Sequence, residues 1–93
     1  MRTIERTTQF KRDVKREMKG RHRASLADDL VAVLDRLIAD DPLPARHRDH
    51  ALTGQWSDHR DCHIKPDLVL IYRLQGFDIL TLVRLGSHSE LGL

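Results

Sequence analysis

Five side chains in this 93-residue chain have the types that proton-transfer chemistry on an anion would use: His50, His63, Asp67, Arg84 and His88. Histidine, with an unperturbed pKa of about 6.5, gives or takes a proton near neutral pH. A carboxylate beside it orients the ring and fixes its tautomer, or acts as a base itself if desolvation raises its pKa. Arginine stays charged and can offset negative charge as it builds on a reacting group. Two of the five frame the stretch Arg60 to Tyr72, read as RDCHIKPDLVLIY. Pro66 cannot donate a ladder hydrogen bond, so Lys65-Pro66-Asp67 reads as a corner between two strands. Leu68 to Leu74 is almost uninterrupted apolar sequence, the pattern of a central strand covered on both faces. A histidine and an aspartate beside such a strand are held by a rigid element, as acid–base chemistry requires.

The five come from a loop, a strand end, a turn, a strand end and a tail, so a shared site needs these to converge at one sheet edge. The elements are legible. Arg2 to Thr7 alternates and reads as a short edge strand. From Thr8, Phe10, Val14 and Met18 recur every fourth residue, with Thr7 or Thr8 as cap and Gly20 as terminator. Lys11, Arg12, Lys15, Arg16 and Lys19 occupy the outer faces of that helix. A second helix follows, with Ser25 and Asp28 as a weak capping box and a broad stripe of Leu26, Leu30, Val33, Leu34, Leu37 and Ile38. Asp40-Asp41-Pro42-Leu43-Pro44 closes it, because a residue before proline is pushed out of the helical region. Two helices joined near Gly20 read as an antiparallel hairpin.

Residues 45 to 53 read as an ordered loop delivering His47 and His50. The sheet is expected to begin at Gly54 to Ser57, with Trp56 buried and Asp58-His59 in a tight turn. Strands Arg60 to Ile64, Leu68 to Leu74 and Phe77 to Leu85 complete an antiparallel meander, and Gly86 releases Ser87 to Leu93 as a tail. The architecture is α+β: two N-terminal antiparallel helices packed on one face of a small twisted antiparallel sheet, one domain over residues 1–93.

Composition excludes several classes. With 40% hydrophobic and 32% charged residues the chain is an ordinary globular sequence, too apolar for disorder. No apolar run approaches the roughly 20 residues that span a bilayer. The beginning, MRTIERTTQFKRD, has no signal-peptide core, so the expected location is the cytoplasm and no membrane partner is expected. Cys62 is the only cysteine, which rules out an internal disulfide. The net charge of +2 hides an asymmetry: residues 1–24 hold nine Lys or Arg against three acids, and residues 25–93 hold seven against eleven. A basic first third suits phosphate or acidic partners, although a solvated helix face would look the same.

The carboxyl-terminal half carries a family signature. Asp49-His50-Ala51-Leu52 is followed by Gly54 and Trp56, then by Arg60-Asp61-Cys62-His63-Ile64. Pro66-Asp67 leads into Leu70-Ile71-Tyr72, and Arg84-Leu85-Gly86-Ser87-His88-Ser89-Glu90-Leu91 closes the set. In order and spacing these segments resemble the YafQ branch of the RelE-type toxins of bacterial toxin–antitoxin systems. The amino-terminal half fits in length and pattern only.

The resemblance implies an endoribonuclease that cuts mRNA on the translating ribosome, without a cofactor, and assigns its active site to His50, His63, Asp67, Arg84 and His88. His88 and Asp67 would form the acid–base pair, with His50 and His63 positioning RNA, tuning the pair or sharing the proton work. Arg84 would offset charge on the pentacoordinate phosphate. The implied products are a 2′,3′-cyclic phosphate and a 5′-hydroxyl end. The implied partners are the ribosome, mRNA and a cognate antitoxin that blocks the site, with operator DNA touched only through that antitoxin. Lys11, Arg12, Lys15, Arg16 and Lys19 would meet ribosomal RNA phosphates or acidic antitoxin residues, the first with a strong salt dependence.

Two departures from the family pattern bear on this expectation. Leu68 stands where relatives often carry Trp, and Gly92 where they usually carry Phe, and RNA enzymes commonly stack bases on aromatics. These departures favour the alternative of a non-catalytic RNA- or protein-binding module on the same fold. A third reading takes His47, His50, His59 and His63 as zinc ligands. That spacing lacks paired cysteines, and strand alternation sends Cys62 and His63 to opposite faces, so no metal is expected. The same alternation argues against Cys62 as a nucleophile.

Overall fold

A computed structural model describes residues 2–93. The elements are β1 (Thr3–Arg6), α1 (Thr8–Glu17), α2 (Leu26–Ala39), β2 (His50–Ala51), β3 (Arg60–Lys65), β4 (Leu68–Gln75), β5 (Ile79–Gly86) and α3 (His88–Leu91). Short 3₁₀ turns lie at Ala45–His47 and Gly54–Trp56. The sheet order is β1-β5-β4-β3-β2. The helix hairpin, the corner at Pro66-Asp67 and the strands on either side of it stand where the sequence places them.

β4 is central and takes both faces. Leu68, Leu70 and Tyr72 join the larger core with Phe10 of α1 and Leu26, Val33 and Leu37 of α2. Val69 and Ile71 point the other way, into a smaller cluster with Leu91, Leu52, Trp56 and Val83. The near-continuous apolar run has this cause: alternate residues meet two different covers.

Several expectations need correction. The sheet is mixed, because β1 pairs in parallel with β5 from Thr3–Ile79 to Arg6–Leu82. That pairing is non-local, and alternation within β1 carries no information on its direction. Gly54 to Ser57 does not begin the sheet but forms a 3₁₀ turn, with Gly54 at φ 68°, and β2 at His50–Ala51 takes the edge position. Trp56 is half-buried over the smaller cluster. The last strand starts at Ile79, and Phe77 lies in the hairpin turn, 82% exposed. Met18 caps α1 and is exposed. Thr7 caps α1 through its side chain, accepting from the Phe10 N–H at 3.0 Å, whereas the Ser25 side chain makes no capping bond on α2.

The carboxyl end is not a released tail. Ser87 and Glu90 form a reciprocal capping box that starts α3, and Gly92 ends it in the left-handed region at φ 72°. The turn into α3 is closely packed at Gly86, where a Cβ would press on Arg16 Nη2 at 3.1 Å and Glu90 Oε1 at 3.3 Å. The ion pair Arg16–Glu90 at 3.3 Å then ties α3 to α1.

α1 also closes the edge of β5 beyond the reach of β1. Thr7 donates through its N–H to Leu82 O and through Oγ1 to Val83 O. Asp13 Oδ2 accepts the Leu85 N–H at 3.0 Å, and Arg16 Nη2 donates to Leu85 O at 2.8 Å. Side chains thus satisfy strand groups that would otherwise stand open.

Candidate active site

The site is built from the corner between β3 and β4, the start of α3 and the segment before β2. Asp67 lies in the corner and His88 opens α3, and their side chains meet with His88 Nδ1 at 3.3 Å from Asp67 Oδ1. The His63 ring stands edge-on to His88, centroids 5.0 Å apart. On β3, Asp61 and His63 face the smaller core beside their cross-strand partners Ile71 and Val69, while Cys62 turns into the larger core. A β-bulge between His63 and Lys65 leaves Ile64 unpaired in this ladder, and bulges beside a site re-aim nearby side chains.

His50 pairs with Asp61 across β2 and β3, with its Nδ1 3.1 Å from Asp61 Oδ1 and 2.6 Å from Arg48 O. The ring nitrogen is aimed at the Arg48 carbonyl, so the carboxylate oxygen is close but has no hydrogen-bond partner. His47 Nδ1 lies 2.6 Å from His63 O, which pins the Ala45–His47 turn against β3. A cleft of about 460 Å³ opens between Arg46, Arg48, His63, Pro66 and His88.

The electrostatics follow from burial. Desolvation raises the Asp61 carboxyl above its ordinary value, against the opposing pull of His50, His63 and His88. Desolvation lowers His63, and the charge of His88 lowers it further, which favours the neutral imidazole. Asp67 is the reverse of Asp61: exposed, hydrogen-bonded by His88 and paired with Arg21 Nη2 at 3.2 Å, its carboxyl is held low. In this geometry it is an ionised carboxylate beside His88 rather than a raised-pKa base.

Of the five sequence candidates, four cluster here: His63, Asp67 and His88 directly, and His50 through Asp61. Arg84 is placed differently. The cross-strand row runs His50, Asp61, Ile71, Arg84, so Asp61 and Ile71 lie between it and His50. Its guanidinium binds buried Asp13, Nε to Oδ2 at 2.8 Å and Nη2 to Oδ1 at 3.3 Å. The cations around the cleft are instead Arg46 and Arg48, with Arg21 on Asp67. Sequence reasoning missed these three and Asp61. Asp61 had a signal, alternation with His63 on one strand, whereas Arg21 reaches Asp67 across 46 positions and had none.

Lys11, Arg12, Lys15 and Arg16 are exposed on α1, and Lys19 is exposed in the turn just past its end. Arg16, however, is engaged internally with Asp13, Glu17, Glu90 and Leu85 O. Leu68 is buried in the larger core, and Gly92 is a helix cap. Of the four histidines with zinc-like spacing, three are engaged elsewhere: His47 with His63 O, His50 with Arg48 O, and His59 edge-on to Trp56 at 5.4 Å. Among the described residues no group of three or more His, Cys, Asp or Glu is arranged to hold a metal ion. The Cys62 thiol is fully buried, and burial raises its pKa, which removes the reactive thiolate. Among the described residues no helix is long and apolar enough to cross a membrane.

A helix pair over a small sheet, with histidines and carboxylates gathered at the sheet's turn and at the following short helix, is an α+β arrangement shared with solved YafQ toxins. The model of one family, "Bacterial toxin of type II toxin-antitoxin system, YafQ", matches residues 2–92. The chain belongs to this YafQ toxin family. It is 40% identical over 91 residues to the mRNA interferase toxin YafQ of Escherichia coli K12, covering 97% of this chain and 95% of that protein. The toxin in the crystal structure of the E. coli DinJ–YafQ toxin–antitoxin complex superposes with a TM-score of 0.83 at 38% identity, covering 97% of this chain and 96% of that one. A metal-bound toxin from Helicobacter pylori superposes with a TM-score of 0.81 at 39% identity, covering 98% and 99%.

Proposed function

We propose that this protein is an mRNA interferase, the toxin of a toxin–antitoxin pair, and that it cuts mRNA on the translating ribosome by metal-independent acid–base catalysis. The observation that carries the reading is the His88–Asp67 contact beside His63 at a cleft lined by arginines. The 2′-hydroxyl next to the scissile phosphate loses a proton and its oxygen attacks phosphorus. The P–O5′ bond then breaks, and the departing 5′-oxygen takes a proton. His88, oriented by ionised Asp67, carries one transfer. Neutral His63 is suited to accept the proton of the other, and His50 tunes both through Asp61. General acid–base catalysis of this kind contributes on the order of 10² to 10⁴ in rate.

Arg84 is proposed to add positive charge from outside the cleft, where Asp13 holds its Nε and Nη2. Lys11, Arg12, Lys15 and Lys19 would meet ribosomal RNA phosphates, with Arg16 holding α1 to α3 behind them. The E. coli relative assembles with DinJ, and a corresponding antitoxin is the proposed partner here, with operator DNA reached only through it. The cytoplasm is where translating ribosomes would be met.

The alternative, a non-catalytic RNA- or protein-binding module, rests on the scarcity of aromatic side chains around the cleft. One experiment separates the two. Induction of the wild type is expected to arrest growth and to produce new 5′-hydroxyl ends in ribosome-bound mRNA, unaffected by a chelator, with both effects lost in His88→Ala and Asp67→Ala. Cleavage that survives either substitution refutes that residue's role. Absence of arrest and of cleavage from the wild type favours the binding module.

A further inference from the structure

We propose that Arg46 and Arg48 form a base-stacking subsite for the nucleotide beside the scissile phosphate, taking the place of the aromatic side chains that the cleft lacks. The inference rests on the endoribonuclease reading above and adds how that site grips its substrate.

None of the four aromatic residues can serve there. Phe10 and Tyr72 are buried in the larger core, and Trp56 packs over the smaller one. Phe77 is exposed, but it lines a separate groove with Arg2, Ile38, Ala39 and Asp40. The planar groups around the cleft are therefore the two guanidinium groups and the rings of His63 and His88, with Pro66 as the apolar wall. A guanidinium plane stacks on a nucleobase as an aromatic ring does, and it is weakly hydrated, so covering it with a base is inexpensive in desolvation. The cleft, about 460 Å³, falls in the size range of small-ligand sites. A second hollow of about 130 Å³ continues it past Arg46, His63 and Pro66.

The segment that carries the two arginines is held in place. His47, between them, is anchored through Nδ1 to His63 O, and His50 Nδ1 binds Arg48 O. Arg48 itself adopts a left-handed backbone at φ 47°, a conformation that costs a non-glycine residue energy and that persists only where the surroundings impose it. With His47 anchored between them, residues 46 and 48 both line the cleft. Among the described residues neither side chain is in an ion pair or side-chain hydrogen bond, whereas Arg16, Arg21, Arg60 and Arg84 all are.

The test separates stacking from charge. Binding of the full-length protein is measured to ribosomes programmed with an mRNA whose attacking 2′-hydroxyl is replaced by hydrogen, so that nothing is cleaved. The flanking nucleotide is either normal or abasic. Arg46→Lys and Arg48→Lys keep the charge and lose the plane. The expected result is a loss of affinity on the order of tenfold for the abasic mRNA with wild type, and a similar loss for the Lys variants on normal mRNA. The two losses should not add, and the salt dependence should be unchanged by Lys. If the Lys variants bind like wild type and only Arg46→Gln and Arg48→Gln weaken binding, with a shallower salt slope, the arginines are phosphate contacts and the stacking subsite is wrong. If RNA binding is unchanged in every variant while antitoxin affinity falls, the cleft is a protein contact and the proposal is again wrong. Cleavage of unmodified mRNA by wild type, run alongside, reports on the nuclease reading separately.

Discussion

Asp13 and Asp61 are both buried carboxylates, 0% and 3% exposed, on opposite sides of the central strand, yet their environments drive them in opposite directions. Burial alone would raise both. Around Asp13 four donor contacts converge, two from Arg84, one from Arg16 and one from the Leu85 N–H, and they hold its carboxyl below the ordinary value. Asp61 has one imidazole close by, aimed elsewhere, and its carboxyl is raised. The difference separates two uses of a buried charge. A carboxylate saturated with donors is a fastener, here joining α1 to the open edge of β5 and, through Arg16 and Glu90, to the helix that carries His88. One left short of donors has its proton affinity coupled to its neighbours, here His50, His63 and His88.

The largest expected effect tests the fastener. Asp13→Ala leaves the Leu85 N–H without an acceptor and two arginines without their shared anion. A buried pair broken in this way costs roughly 3–5 kcal/mol, and solvent access to both guanidiniums places the expected loss near the lower end, about 3 kcal/mol. Urea unfolding should show it. Cleavage should fall as well, because Arg16, which ties α3 through Glu90, loses one of its anchors, although no residue of the acid–base pair has changed. A loss well under 1 kcal/mol would mean that the four bonds merely replace water, and the contrast between the two aspartates would collapse.

The frame around this contrast was legible in the sequence, but neither aspartate was picked out. The corner at Pro66, the alternation of β3 and the run of β4 are local patterns, and they placed His63 and Asp67 correctly beside the rigid strand. Asp13 also left a trace: an acid between Phe10 and Val14, on the apolar stripe of a basic helix. Its partner Arg84 lies 71 positions away, and no local pattern reports such a contact. The same limit hid the parallel pairing of β1 and the reach of Arg21 to Asp67. The short helix α3 was readable, since Ser87 and Glu90 have capping-box spacing, but four residues are too few for a helical period to register. Arg46 and Arg48 sat in a segment without periodicity, where only the tertiary anchor of His47 decides which way they face.

A second prediction concerns the coupled carboxylate. Asp61→Asn keeps the shape and removes a poorly solvated charge, so stability should change by less than about 1 kcal/mol in either direction. The effect should appear in the pH–rate profile instead. A neighbouring carboxylate favours imidazolium, so its removal lowers the proton affinity of the histidines around it. The limb of the cleavage profile governed by His63 should move to lower pH, with the wild-type limb as reference. An unmoved profile together with a large loss of stability would make Asp61 a second fastener.

The smallest effect is the dependence of stability on pH, and its sign distinguishes the two aspartates most directly. The folded state holds Asp13 below its ordinary pKa of 3.8. Its contribution is therefore complete above that value and is lost as pH falls through the lowered folded pKa, because the unfolded chain binds the proton first. Asp61 is raised above the same reference value of 3.8. Between 3.8 and its folded pKa the native state holds the extra proton, so this group alone makes the protein more stable as pH falls through that window. Melting curves across the acid range should show the acid loss diminished in Asp13→Asn, measured against that variant's own lower baseline. In Asp61→Asn the loss should begin at higher pH than in wild type, because the compensating uptake is gone. If both variants shift the curve in the same direction, the two carboxylates share one environment and the division between fastener and coupled acid does not hold.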